Sequence, residues 1–413
     1  MPARTSARAG LHPHVVLRFF SYFYPPCIGG GEVILQHQAE ELARRGWEVH
    51  VHTTPYTNLN LSSQVACGST VERGVHVHRR RSFALPFHNP LEKDAVTPAF
   101  LGDALRKADL IVCVGFPSLH LDLLLPRARL AGIPLVVQNY ITADYLEEIL
   151  GGKGGLNKRI RAKYWQNWTR PQLARANLVI ADSPAAGDAL RSKLGLSNVA
   201  VHIGMAVDPR EFQISPSEGA AVRAKLGLGD ARFVLAPSRL SRQKGADLLV
   251  QAMAPLLRER PNWRLVIAGP INEVDFADEV RRLAVPLGDK VCFTVLPRNE
   301  LCALLLESEI VALPSRGETV GGVVFEAMYA GALAIVSDAV EAAREDYLQD
   351  GQNGLLVPSE NIPALQQALR RGMDTDTSAM RAAGRAMIEA RFTWSRSVDR
   401  LVALYEKAKE VRR

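Results

Sequence analysis

Glu318 and Glu326 stand on either side of a glycine pair, Gly321-Gly322, just after the apolar run Ile310–Leu313. Carboxylates in such places accept hydrogen bonds from hydroxyl groups, and free amides at a glycine turn opening a helix favour an anion. Arg239 and Lys244 follow another apolar run, Phe233–Ala236, in the stretch Ser238-Arg239-Leu240-Ser241-Arg242-Gln243-Lys244-Gly245. A guanidinium grips phosphate oxygens in a planar fork, and an ammonium neutralises a second oxygen as a point charge. A third cluster, Gly29-Gly30-Gly31-Glu32, leads from the first apolar run into a helical stretch and allows close backbone approach to phosphate. It is not the dinucleotide fingerprint Gly-x-Gly-x-x-Gly, and the second run ends Thr53-Thr54-Pro55 without an acidic ribose partner. Each feature also has a plainer reading: a turn at the glycines, two solvated cations, a solvated Glu318 and a Glu326 paired with a core cation.

The elements that must position these residues are legible from hydropathy. Short apolar runs occur at Val15–Phe20, Val49–Thr54, Val75–Arg79, Leu110–Val114, Leu135–Gln138, Leu178–Ala181 and Val199–Ile203. A second series covers Phe233–Ala236, Leu265–Ala268, Val291–Val295, Ile310–Leu313, Ala334–Ser337 and Leu355–Val357. Near-continuous Val/Ile/Leu runs are the mark of strands buried on both faces of a parallel sheet. Amphipathic stretches alternate with them, such as Glu32–Arg45 ended by Gly46, and a helix capped by Ser183 with Pro184 behind it. The alternation predicts doubly wound α/β sheets, and so many strands exceed one comfortable sheet of about ten. The cut falls at Asp208–Gly219, which predicts domains over 1–210 and 211–390. Residues 391–413 would form a terminal helix returning toward the first domain. Ligands of such sheets sit beyond the carboxyl ends of the strands, where the chemical residues fall.

Composition bounds the class. The chain has 413 residues, 47% of them hydrophobic and 23% charged, as in a globular protein of about two or three domains. No apolar run reaches the roughly 18 residues of a membrane span. His12, Pro13, His14 and Arg18 break up any signal-peptide core, so the start reads as a loose arm. Five scattered cysteines with no Cys-x-x-Cys pair argue against a disulfide framework or structural zinc and fit a reducing cytosol. Residues 1–210 hold 24 Lys+Arg against 16 Asp+Glu, whereas the remainder holds 26 against 27, so the two halves would meet different partners. His50 with His52, and His76 with His78, share strand faces and read as exposed edge-strand residues, since no Asp, Glu or Cys partner for a metal is evident nearby. The stretch Leu156–Arg170 joins five cations to Tyr164, Trp165 and Trp168, suiting either an anionic membrane surface or a solvated helix that packs its aromatics inward. Nucleic-acid binding shares that basic signature, but no recognition module accompanies it.

The second half resembles a family-4 retaining glycosyltransferase of the GT-B fold, a group 1 glycosyltransferase. The matching pieces are Arg239 with Lys244-Gly245, Glu318 and Glu326 around Gly321, Glu326-Ala327-Met328 with Gly331, and Asp350-Gly351-Gln352-Asn353-Gly354-Leu355-Leu356-Val357. Phe392-Thr393-Trp394 follows them. The first half agrees through Pro25-Pro26, Gly29-Gly30-Gly31-Glu32, Ala181-Asp182-Ser183 and Gly204-Met205-Ala206-Val207-Asp208. The resemblance implies two Rossmann-like domains facing across a cleft and a bacterial-type, metal-independent enzyme. It would move a sugar from a nucleotide-diphosphate sugar to an acceptor hydroxyl with retention of configuration. Arg239 and Lys244 would clasp the diphosphate, Glu318 the donor sugar and Glu326 the ribose. Val320, Gly321 and Gly322 would complete the phosphate site with Gly30 and Gly31, and the base would sit near Leu296 and Arg298. On the acceptor side the resemblance points to Tyr24, Asn139 and Tyr140.

The implied co-substrate is a UDP- or GDP-type sugar, with no tightly bound cofactor. The acceptor would be a small molecule, a glycan or a lipid-linked sugar, and nucleic acid is not expected. The location implied is cytoplasmic, with a candidate contact to the inner face of the membrane through the basic first domain. This chain departs from the family at Asn139, where a histidine is frequent, at Val320, where an aromatic is usual, and at Pro237-Ser238, in place of glycine before Arg239. An altered donor-sugar preference follows from those departures. A nucleotide-sugar epimerase or a sugar phosphorylase on the same fold, or a non-catalytic nucleotide-sugar-binding module, are the competing classes. No lysine anchor for pyridoxal phosphate is apparent for a phosphorylase, and intact Arg239, Lys244, Glu318 and Glu326 count against the binding module.

Overall fold

The computed structural model describes residues 15–411 except 28, 59–60, 86–93, 104–105, 116–118, 141, 144–145, 147–158 and 160–161. The first half contains β1 (Val16–Ser21), β2 (Glu48–Thr53), β3 (Gly68–Glu72) and β4 (Val75–Arg79), then a separate ribbon of β5 (Phe83–Leu85) and β6 (Asp94–Val96). β7 (Leu110–Val114), β8 (Leu135–Asn139), β9 (Leu178–Ala181) and β10 (Val199–Val201) follow. The eight-stranded sheet runs β10-β9-β8-β7-β1-β2-β4-β3, parallel except for β3, which pairs antiparallel with β4. β7 and β8 are buried at every residue, as their continuous apolar runs require.

The second half builds a six-stranded parallel sheet in the order β13-β12-β11-β14-β15-β16. Its strands are β11 (Arg232–Ala236), β12 (Trp263–Ala268), β13 (Val291–Thr294), β14 (Ile310–Leu313), β15 (Leu333–Ser337) and β16 (Leu355–Val357). Each apolar run named above falls on one of these strands, and both sheets are covered on two faces by separate hydrophobic clusters.

Local chemistry accounts for the helix ends. Ser183 accepts the amide of Ala186, Pro184 starts the helix Pro184–Leu194, and Gly195 closes it with φ 62°. Between the two sheets, Ser215 and Glu218 form a reciprocal capping box that opens the helix Pro216–Lys225. The chain then crosses back. Val207 donates to Phe392 O (2.8 Å) and Trp394 donates to Val207 O (3.2 Å), so outgoing and returning segments lie side by side. The last helix, Trp394–Glu410, buries Val398, Leu401, Tyr405 and Ala408 in the core beneath the first sheet.

Candidate active site

Two loops of the second sheet are fastened to each other at its carboxyl edge. Gln243 Nε2 donates to Gly317 O (2.6 Å), and Arg316 donates from its backbone to Gln243 O (2.7 Å) and from its guanidinium to Arg242 O (2.6 Å). Arg316 also forks onto the buried Asp247 (3.0 and 2.7 Å). Gly245 has φ 71°, and a Cβ there would lie 2.1 Å from Pro314 O, so only glycine lets the loops touch. The result is that Lys244 Nζ pairs with Glu318 Oε1, which also accepts from Ser315 Oγ (2.9 Å). Glu318 is therefore not a solvated carboxylate. Its backbone is fixed too, through Glu318 N to Ala339 O (3.0 Å) and Glu341 N to Glu318 O (2.9 Å).

Arg239, in contrast, is exposed and has no carboxylate partner among the described residues. Gly321 turns the chain with φ 67°, and the helix Gly322–Ala330 begins there without a side-chain cap. Across from it, the helix Gly30–Arg44 also begins without a side-chain cap. Both helix starts present backbone amides toward the cleft, the end of a helix that favours an anion.

These parts line one cleft of about 490 Å³ between the sheets, within the range of about 300–1,000 Å³ usual for small-molecule sites. Gly30, Gly31, Tyr140, Arg239, Lys244, Glu318, Val320, Gly321 and Gly322 all border it. Sequence reasoning missed four polar residues that join them: Thr142, Asp182, Gln243 and Thr319. Asp182 was visible as part of Ala181-Asp182-Ser183 but carried no signal of its own, because its neighbours come from distant segments.

The remaining candidates lie elsewhere. Glu326 is held by Arg298 through Nη1 to Oε2 and Nη2 to Oε1, both 2.9 Å. Arg298 also reaches Glu211 of the inter-sheet segment (2.6 Å). Glu326 thus does pair with a cation, and that cation is the residue expected near the nucleotide base. Leu296 packs against the second domain's core. Tyr24 is 3% exposed in the first domain's core, where burial pushes its phenol well up, and it does not border the cleft. Asn139 is 1% exposed, with both side-chain polar atoms unpartnered.

The histidine expectation is corrected. β2 and β4 are interior strands, and His50, His52, His76 and His78 form a stack with ring centroids as close as 4.7 Å. His52 is 1% exposed and bonds Asp103 (3.0 Å) and Arg18 (3.2 Å), while His50 bonds His78 (3.0 Å). Burial lowers the proton affinity of His50, His52 and His78, the last to a pKa of about 3. The stretch Leu156–Arg170 lies partly outside the described residues. Of its aromatics, Trp165 is buried and Tyr164 bonds Asp122 (2.5 Å), whereas Trp168 is exposed. Among the described residues no helix is long and apolar enough to cross a membrane.

Comparison with known proteins bears on the family and the fold. The Glycosyltransferase Family 4 profile matches residues 28–211, and the Glycosyl transferases group 1 profile matches residues 220–387. The chain is 28% identical over 403 residues to the GDP-mannose:cellobiosyl-diphosphopolyprenol alpha-mannosyltransferase of Xanthomonas campestris, covering 96% of each chain. It is 31% identical over 295 residues to D-inositol 3-phosphate glycosyltransferase 1 of Catenulispora acidiphila, covering 68% of this chain and 69% of that one. Its fold matches that of Anabaena Alr3699/HepE, solved with UDP and glucose, at a TM-score of 0.69 and 20% identity over 94% of this chain and 99% of the other.

Proposed function

The chain belongs to the family-4, group 1 glycosyltransferases of the GT-B fold, and on that premise we propose that it uses a nucleoside-diphosphate sugar and transfers the sugar with retention of configuration. One observation carries the reading. Arg239, Lys244 and the starts of two helices, one from each domain, face a single cleft beside Glu318. Breaking the bond between the sugar's anomeric carbon and the diphosphate leaves positive charge on the sugar and negative charge on the phosphate oxygen. Cations and amide dipoles fixed before the reaction stabilise that separation without reorganising. Arg239 and Lys244 take the diphosphate in this reading. Glu318, held between Lys244 and Ser315, accepts from donor-sugar hydroxyls.

Arg298 holds Glu326 ready for the ribose, with the base alongside Leu296. Tyr140, which borders the cleft, belongs to the acceptor wall, with Asn139 buried beside it. The Xanthomonas relative, named for GDP-mannose and a lipid-linked cellobiosyl acceptor, supports a GDP-type donor and a glycan or lipid-linked acceptor. The Anabaena structure, with UDP, keeps a UDP-type donor in the same proposal. Peripheral membrane contact through the basic first domain fits a lipid-linked acceptor. Glycosyltransferase relatives leave the epimerase and binding-module alternatives without support.

Calorimetry with UDP-glucose and GDP-mannose, followed by NMR of the product's anomeric proton, tests this function. One donor is expected to bind and to give a product of the donor's own anomeric configuration. Binding without transfer to any neutral sugar acceptor, or an inverted product, would overturn it.

A further inference from the structure

Asp182 directly follows β9, whose last residue Ala181 stands opposite Asn139 of β8. It borders the cleft, is 3% exposed, and its Oδ1 has no hydrogen-bond partner. No cation pairs with it among the described residues. The charged and titratable groups around it are unfavourable to an anion. Glu341 approaches from the second domain, bonded to Ser183 Oγ (2.8 Å) and Ala143 N (3.0 Å). The buried Tyr140 phenol lies within its electrostatic reach, with Glu32 beyond. Across the cleft, Lys244 is committed to Glu318, and Arg239 stands at the exposed rim.

We propose that Asp182 is held as a neutral carboxylic acid that donates a hydrogen bond to an uncharged hydroxyl of the acceptor sugar. The assignment rests on the glycosyl-transfer reading above and deepens it. An ionised carboxylate buried without a cation costs several kcal/mol, so the site keeps its proton. Burial, against an opposing hydrogen bond from its own backbone amide and with the Glu341 charge adding to it, holds the Asp182 carboxyl well above the usual carboxylate range. A protonated carboxyl both donates and accepts, which matches the two-way hydrogen bonding of a hydroxyl. On the adjacent strand, opposite Ala181, the buried Asn139 amide is a second uncharged and unpartnered polar group. An acceptor with a carboxylate here would bring a second negative charge beside Glu341 in a buried setting, so the wall discriminates by charge.

The test has two arms. Difference infrared spectra of wild type against Asp182→Asn should contain a protonated-carboxyl band at pH 7. An ionised-carboxylate signal at pH 7 would overturn the proposal whether or not transfer is detected. Octyl β-glucoside and octyl β-glucuronide then serve as neutral and anionic acceptor probes. Asp182→Ala should raise KM for the glucoside about tenfold with donor KM unchanged, the size of one lost hydrogen bond of ~1.4 kcal/mol. Asp182→Asn, with an amide donor in its place, should recover most of that loss. A glucuronide accepted as well as the glucoside, or a rise confined to donor KM, would refute the role. Failure of both nucleotide sugars to bind wild type would sink the transferase reading alone, because the infrared arm still decides the protonation state.

Discussion

Removing the Glu341 side chain should loosen the two domains without unfolding either. Glu341 is 7% exposed, and its carboxylate accepts from Ser183 Oγ and from Ala143 N, both in the first domain. One turn later Glu345 accepts from Ala185 N (2.8 Å). Ser183 and Ala185 form the start of the helix Pro184–Leu194, so both second-domain carboxylates lie at a helix N-terminus, the favourable end for negative charge. Hydrogen bonds to a charged group contribute about 1.5–3 kcal/mol each. Two such bonds lost in Glu341→Ala therefore weaken the contact by roughly 3 kcal/mol after water takes up part of the loss. That shifts a closed–open balance by about two orders of magnitude. Each domain should survive, because Glu341 N to Glu318 O is a backbone bond and Ser183 still caps Ala186. Small-angle scattering without ligand should show a larger radius of gyration for Glu341→Ala, with Glu341→Gln intermediate. Nucleotide binding should persist while transfer falls. An unchanged radius together with wild-type transfer would refute the latch.

The other predictions concern the donor loops and the histidine stack. Glu318→Ala and Lys244→Ala should each lower kcat/KM by at least 100-fold. Because the two side chains bond each other, the double variant should lose much less than the product of the singles; strict additivity would break the assignment. Gly321→Ala meets both a φ of 67° and Cβ contacts of 3.0 Å to Val340 and 3.1 Å to Leu313, so destabilisation of about 1–2 kcal/mol by urea titration is expected; a neutral effect would mean the turn relaxes. His50, His52 and His78 have lowered folded-state pKa values, so between about pH 6.5 and the lowered value the unfolded chain binds more protons. Their contribution is complete above about pH 6.5 and is lost as pH falls. The Tm should drop between pH 7 and pH 5, and His78→Gln should flatten that slope; an unchanged slope would show that the stack does not titrate as described.

Much of the fold was legible because burial on both sheet faces writes itself as unbroken apolar runs. β14 (Ile310–Leu313) and β7 (Leu110–Val114) needed nothing else. β3 left no such trace. In Gly68-Ser69-Thr70-Val71-Glu72 the one large apolar residue, Val71, is 65% exposed, since the strand only covers an edge. The histidines misled for a related reason. Their spacing gave the right face, but a pattern of Val and His reads as half-solvated unless the partner strand is known. β4 places His76 and His78 against His50 and His52 in register, and neutral imidazoles then pack as aromatic rings.

The two walls of the cleft differ in how their information is stored. The second-domain wall is written in contiguous stretches: Arg239 and Lys244 lie in one loop, and Glu318, Val320, Gly321 and Gly322 in another. A short window therefore holds the cations, the turn and the helix start together, and spacing alone suggests their chemistry. The first-domain wall takes single residues just beyond separate strands, Tyr140 after β8 and Asp182 after β9, and neither has a chemically suggestive neighbour in sequence. What gives Asp182 its character is burial and the approach of Glu341, which lies 158 residues away from Ser183 along the chain. The same Glu341 is joined through its backbone to Glu318. A shift of the Glu318 loop would therefore be felt at Ser183 and Asp182. In the proposed reading the donor and acceptor sides meet at that carboxylate, which no local pattern around Glu341 could have announced.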